Sequence, residues 1–143
     1  MRRPRIYADT SVFGGCFDAE FQVASQQFFR DVQAGRFVLV ISDVTTRELQ
    51  EATEQVRQVL VQLPEENVEE IAVDDEVTSL RNAYLAAGVV GPASEADAEH
   101  IAAATIAEVD IVVSGNFKHI VHFDKIRGFN SIDSLKGYRR LEI

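Results

Sequence analysis

The stretch Phe37-Val38-Leu39-Val40-Ile41-Ser42-Asp43-Val44-Thr45-Thr46-Arg47-Glu48 decides the fold class. Its opening is an apolar, β-branched run, short enough to be a core strand. Ser42-Asp43 ends that run, and Thr45 followed three residues later by Glu48 has the S/T-x-x-E pattern that opens a helix. A buried strand that feeds straight into a helix is the repeating unit of an α/β protein.

The same alternation continues in both directions. Upstream, Phe21, Ala24, Phe28 and Val32 recur at helical spacing over residues 19–34, and Gly35 closes that helix. Before it, Arg5-Ile6-Tyr7-Ala8 reads as a short buried strand that stops at Asp9-Thr10-Ser11. Downstream, the helical signal runs to about Gln62 with a break, and Pro64 marks a loop. A third strand is expected over 68–73 and a helix over 74–87, stopped by Gly88. Ser94-Glu95-Ala96-Asp97 repeats the helix-start signature ahead of an Ala-rich stretch, and Asp110-Ile111-Val112-Val113-Ser114 is the next strand. Residues 118–135 read as mainly helical with an interruption at Gly128, and Leu141-Glu142-Ile143 as a last edge strand. The expected fold is a single α/β domain over residues 1–143, three layers deep, with a mostly parallel central sheet covered on both faces.

Composition sets limits on function. A chain of 143 residues, 46% hydrophobic and 26% charged, has enough apolar material for one core and is not disordered in bulk. No apolar run approaches the roughly 20 residues that span a bilayer. Met1-Arg2-Arg3-Pro4 leads into the first strand without a cleavable small-residue site, so no signal peptide and a cytoplasmic location are expected. The lone Cys16 allows no internal disulfide and no multi-thiolate zinc site. A net charge of −9 argues against coating nucleic acid by bulk electrostatics. The bases are nevertheless gathered at the ends, as Arg2, Arg3 and Arg5 and as Lys118, Lys125, Arg127, Lys136, Arg139 and Arg140. They are either solvated and helix-end charges or a basic rim for a phosphate backbone beside an acidic pocket.

In a parallel sheet, ligands collect beyond the carboxyl ends of the strands. Three polar clusters fall there: Asp9-Thr10-Ser11, Ser42-Asp43 and Ser114-Gly115-Asn116. Glu48 and Asp97 sit in first turns of predicted helices near the same edge. Each has a structural reading: Asp9 in an Asx turn, Glu48 in a capping box with Thr45, Asp97 as partner of Ser94, Asn116 as a cap. Their order and placement together point to one pocket. Hard divalent cations such as Mg²⁺ and Mn²⁺ prefer such oxygen donors, and a pair of them can hold the attacking and leaving oxygens of a phosphoryl displacement.

Four segments carry a resemblance to a known family. Ile6-Tyr7-Ala8-Asp9-Thr10-Ser11-Val12, the segment from Ser42 to Leu49, the segment from Ser94 to Ala104, and Ser114-Gly115-Asn116-Phe117-Lys118-His119-Ile120 resemble the successive motifs of PIN domains, in order along almost the whole chain. That group includes the VapC-type ribonuclease toxins of toxin–antitoxin pairs and stand-alone nucleases. The resemblance implies a PIN-like α/β/α fold and an endoribonuclease that hydrolyses RNA by a metal-activated water. Asp9, Glu48 and Asp97 are the implied ligands of Mg²⁺ or Mn²⁺. Asn116 takes the place where many relatives carry another Asp, which removes a negative charge and bears on the metal count. Ser11 and Ser114 are implied to orient the carboxylates. A cognate antitoxin that masks the pocket and a homodimer follow from the same resemblance.

Other signals point elsewhere. Asp97 with His100, and His119 with His122, have the i, i+3 spacing of a helical zinc pair, without further ligand spacing to complete a site. Cys16 has no activating base nearby in sequence. A dehalogenase-like phosphatase is disfavoured because Ser11 stands where a second Asp is usual, and the local pattern around Lys118 does not suit a receiver-like domain. A different class remains as the alternative: a catalytically degenerate PIN-like module that binds RNA or protein without cutting.

Overall fold

A computed structural model describes residues 2–115 and 121–143. Four parallel strands form one sheet in the order β3-β2-β1-β4, with β1 Arg5–Ala8, β2 Val38–Ser42, β3 Val68–Ile71 and β4 Ile111–Val113. Ile6 is in register with Leu39 on one side and Ile111 on the other. The chain builds outward from β1 through β2 to β3, then returns to place β4 on the opposite side of β1. The strand order therefore reverses between β1 and β4, and a crevice opens at such a point beyond the carboxyl ends.

Side chains on a strand alternate between faces, and the core divides accordingly. Tyr7, Val40 and Val112 pack with Leu80, Tyr84, Ile101 and Phe129. Those residues come from α5 (Asp75–Ala86), α6 (Glu95–Ile106) and α7 (Phe123–Leu135). Ala8, Leu39 and Ile41 pack on the other face with Phe13, Phe29, Val32 and Leu49. These belong to α1 (Thr10–Gly15), α2 (Gln22–Gln33) and α3 (Asp43–Gln50); α4 (Glu54–Val61) adds Val56 and Val59 at the border. Every residue of α6 from Ala98 to Thr105 is buried, which explains its Ala-rich composition: a helix enclosed on all sides needs small side chains to approach its neighbours. Tyr84 and Phe129 meet edge to face at 4.9 Å, a pairing worth about 1 kcal/mol beyond area burial.

The α/β class, the four core strands and the covered sheet agree with expectation, and the sheet is wholly parallel among the described residues. Several details differ. The turn expected at Asp9-Thr10-Ser11 is instead the start of α1. The break expected in the helical signal before Gln62, by contrast, is present: α3 and α4 are separate helices, and Thr53 caps α4 by accepting a bond from the Val56 amide at 3.4 Å. Gly128 does not interrupt α7. Leu141-Glu142-Ile143 forms no strand, although the Val112 amide donates to the Glu142 carbonyl at 2.8 Å.

The amino-terminal arginines are occupied at the far edge of the sheet. Arg2 pairs with Asp110 at 3.2 Å, Arg3 bonds Asn67 at 2.7 Å, and Arg5 pairs with Glu69 at 2.8 Å. Arg139 caps the Glu108 and Val109 carbonyls. These bases stand at the amino ends of β1 and β4, opposite Asp9, and so form no rim beside it. Among the described residues no helix is long and apolar enough to cross a membrane.

Candidate functional site

Asp9 follows β1 directly and is 3% exposed. An ionised carboxylate is expensive to bury without hydrogen bonds, and Asp9 has them from two strand ends. The Ser11 hydroxyl donates to Oδ1 at 2.5 Å and the Ser114 hydroxyl, just past β4, donates to Oδ2 at 2.5 Å. Ser11 in turn accepts the Gly115 amide at 2.8 Å. The Asp9 backbone amide bonds the Val113 carbonyl at 3.3 Å, which extends the β1–β4 ladder into the site. Both serines thus hold the carboxylate, each oxygen fixed by one donor.

Glu48 lies on α3 and is reached through the neighbour of Asp9. The Thr10 hydroxyl donates to Glu48 Oε1 at 2.7 Å, and His100 Nε2 meets the same oxygen at 2.5 Å. Oε2 makes no hydrogen bond among the described residues. Burial pushes the Glu48 pKa up, but the hydrogen bond and charge of His100, with Thr10 and Arg47, outweigh it and hold the carboxyl below its ordinary value. The capping-box reading of Thr45 with Glu48 does not hold. The cap of α3 is Ser42, whose backbone amide bonds Thr45 Oγ1 at 3.3 Å, so the helix begins earlier and Glu48 sits past its first turn.

His100 completes a buried chain. Its Nδ1 lies 2.6 Å from the Tyr7 hydroxyl, which lies 2.7 Å from Ser42 Oγ. With a neutral ring giving Nε2–H to Glu48, Nδ1 accepts from Tyr7 and Tyr7 accepts from Ser42; with a charged ring, Nδ1–H donates to Tyr7 and Tyr7 donates to Ser42. Both ring nitrogens are engaged, which leaves neither for a zinc ion paired with Asp97. Burial drives the Tyr7 pKa far upward, so its proton stays in place. Sequence reasoning gave His100 no part in the site. Its only local signal was the i, i+3 spacing from Asp97, which puts the two on one side of α6.

Asp97 occupies the first turn of α6 and is partly buried, one helical turn before His100. Ser94 caps the helix without a side-chain cap bond. Asn116 lies outside the described residues. Asp9, Ser11 and Ser114 are therefore in direct contact, and Thr10 and His100 converge on Glu48. Among the described residues no group of three or more His, Cys, Asp or Glu side chains forms a metal cluster. The donors present are hard oxygens, the type Mg²⁺ and Mn²⁺ take. Cys16 is buried, and burial raises its thiol pKa, the opposite of activation.

No protein-family model matches the chain, and no curated protein matches it in sequence. Among solved structures, the crystal structure of Mycobacterium tuberculosis VapC20, a sarcin-ricin loop cleaving toxin, matches 96% of this chain and 99% of that one with a TM-score of 0.58. The two are 15% identical in sequence, so the likeness is one of fold. The α/β/α PIN-like architecture expected from the four motifs is the architecture present.

Proposed function

We propose that this chain is a divalent-metal-dependent endoribonuclease that hydrolyses RNA phosphodiester bonds at the carboxyl edge of its sheet, and that it acts as a toxin restrained by a cognate antitoxin. The observation that carries the reading is Asp9 at the strand-order reversal, with both oxygens pinned by Ser11 and Ser114. Thr10, the first residue of α1, links the same strand end to Glu48. A structural Asp would need one such donor for its turn; here two strand ends and two helices fix a pair of carboxylates in place.

Asp9, Glu48 and Asp97 would hold Mg²⁺ or Mn²⁺, with Asn116 as a neutral oxygen donor. The ion supplies Lewis acidity, which activates water near neutral pH and offsets charge on the phosphate. The chain's own residues hold the carboxylates stationary: two hydroxyl donors at Asp9, and Thr10 with His100 at Glu48. Hydrolysis of this kind requires no covalent bond to the enzyme. The fold shared with a sarcin-ricin loop cleaving toxin supports the toxin reading and suggests a structured RNA as the first substrate to try.

Two observations favour the alternative, a degenerate module that binds RNA or protein without cutting. Glu48 already holds His100, and the described acids form no three-membered cluster. The discriminating experiment is cleavage of a structured-RNA panel, including a sarcin-ricin stem-loop, with Mn²⁺ or Mg²⁺ against EDTA. Wild type and Asp97→Asn are run together, with metal titration of both by calorimetry. Metal-dependent cutting that Asp97→Asn loses while keeping its circular dichroism supports the nuclease. Undiminished turnover in the mutant removes Asp97 from its role. A wild type that neither binds metal nor cuts supports the module.

A further inference from the structure

A cavity of about 280 Å³ lies beside Asp9, with Ser11 and Ser114 between them. Its walls are mostly apolar, from Val12 on α1, Phe21 and Phe28 beside and on α2, and Val113 on β4. Ser11 and Ser114, whose hydroxyls hold Asp9, also line it. No charged side chain lines it among the described residues. Gly15 keeps α1 and α2 close on this flank, since a Cβ there would stand 2.4 Å from Ser25 Oγ.

We propose that this cavity is a nucleobase subsite, which receives the unstacked base next to the phosphate that Asp9 and Glu48 act on. The inference rests on the ribonuclease reading and adds a substrate-positioning pocket to it. Its chemistry selects the occupant. A phosphate or an ion needs charge or several donors; the lining carries no charge, and of its three serines Ser11 and Ser114 already give their hydroxyls to Asp9, leaving Ser25. A base is flat, uncharged and apolar on its faces, and sequence-selective proteins hold unpaired RNA bases against aromatic side chains. Continuity with the site sets the register: the same two serines touch the carboxylate and the cavity, so a base seated there puts its own backbone beside Asp9. A pocket that accepts only an extruded base also selects loops and single strands over duplex, where unstacking costs more.

Ala24 lines the cavity and is exposed on α2, away from the hydrogen bonds of Asp9. Ala24→Trp fills the space, and Ala24→Leu, a strong helix former, is the companion variant. Short single-stranded RNAs with 2-aminopurine at one position in turn are bound to each protein in EDTA. Expected is a fluorescence change at one position on wild type, lost in both variants, with affinity about tenfold weaker as one base–aromatic stack is removed. In Mn²⁺, an abasic residue at that position slows wild-type cutting about tenfold and slows the variants no further. If RNA is cut at equal rates with and without that base, the subsite falls while the nuclease stands, and the cavity passes to an apolar side chain of a protein partner. If the base seats but no metal permits cutting, the subsite stands and the nuclease falls. RNA neither bound nor cut overturns both.

Discussion

The Ser114 hydroxyl, just past β4, donates to Asp9 Oδ2 at 2.5 Å, just past β1, and so ties together the two strands between which the sheet order reverses. The bond explains why a nearly fully buried carboxylate is tolerated at a strand end. Ser114→Ala removes one donor and leaves Ser11 as the other. Because a partner that orients a metal-binding carboxylate is worth roughly 10–100-fold in metal affinity or activity, the variant should lose about that much cleavage at limiting Mn²⁺. Saturating metal should restore part of it. Metal titration by calorimetry beside the cleavage assay checks this, and unchanged affinity with unchanged rate would remove Ser114 from the site.

Tyr7 sits under the site without touching substrate-accessible space. Its hydroxyl joins Ser42, the cap of α3, to His100 and thence to Glu48. Tyr7→Phe keeps the packing and leaves a buried imidazole nitrogen and a serine hydroxyl without their shared partner. The expected cost is about 1–3 kcal/mol. Urea denaturation should show a lower midpoint at an unchanged slope. A stability equal to wild type would mean that His100 and Ser42 find other partners.

The sequence made the strands legible because a short β-branched run leading into a capped helix admits few other readings. It hid α1 because Thr10–Gly15 is brief and ends in two glycines, which are poor helix formers. It misplaced the start of α3 because Ser42 and Thr45 supply a capping pair as well as Thr45 and Glu48 do, and only the fold chooses between them. Asp9, Glu48, Asp97 and Asn116 were chosen as ends of elements, a local property. The partners that give Glu48 its setting are long-range: His100 is 52 residues away in sequence, and Tyr7 is 93 residues from His100. No periodicity reports such a contact. The basic chain ends carried two readings, and only the fold chooses for Arg2, Arg3 and Arg5, which serve Asp110, Asn67 and Glu69 at the other edge.

Asp133 is fully buried, and burial raises its pKa from 3.8 to about 6 despite hydrogen bonds from Tyr84 and Thr105. Its folded pKa lies above the unfolded one, so the folded state holds the extra proton between about pH 4 and 6. Stability from this group is complete below about pH 4, declines as pH rises, and is gone above about pH 6, a loss of roughly 3 kcal/mol. Asp133→Asn offers an acceptor to Tyr84 and a donor to Thr105 without any charge. The variant should lose this downward slope and match or exceed wild type at pH 7. Thermal melts of both proteins from pH 4 to 8 test it, and parallel curves would contradict the assignment.

Gly128 is inside α7, where a glycine ordinarily costs about 1 kcal/mol relative to alanine. Packing outweighs propensity here. A Cβ at this position would stand 2.8 Å from Val89 Cγ1 and 3.2 Å from Cγ2, and a β-branched side chain has little freedom to turn away. Gly128→Ala should therefore destabilise by about 1–2 kcal/mol net, as overpacking of about 1–3 kcal/mol exceeds the helical gain. Val89→Ala on its own loses partly buried apolar surface. Combined, the two should be more stable than the sum of their separate effects by at least about 1 kcal/mol, the sign of relieved contact between neighbours. Denaturation of the four proteins of this cycle measures the coupling directly. Additive effects would show that α7 shifts to accept the methyl group, and the glycine would then be a matter of propensity alone.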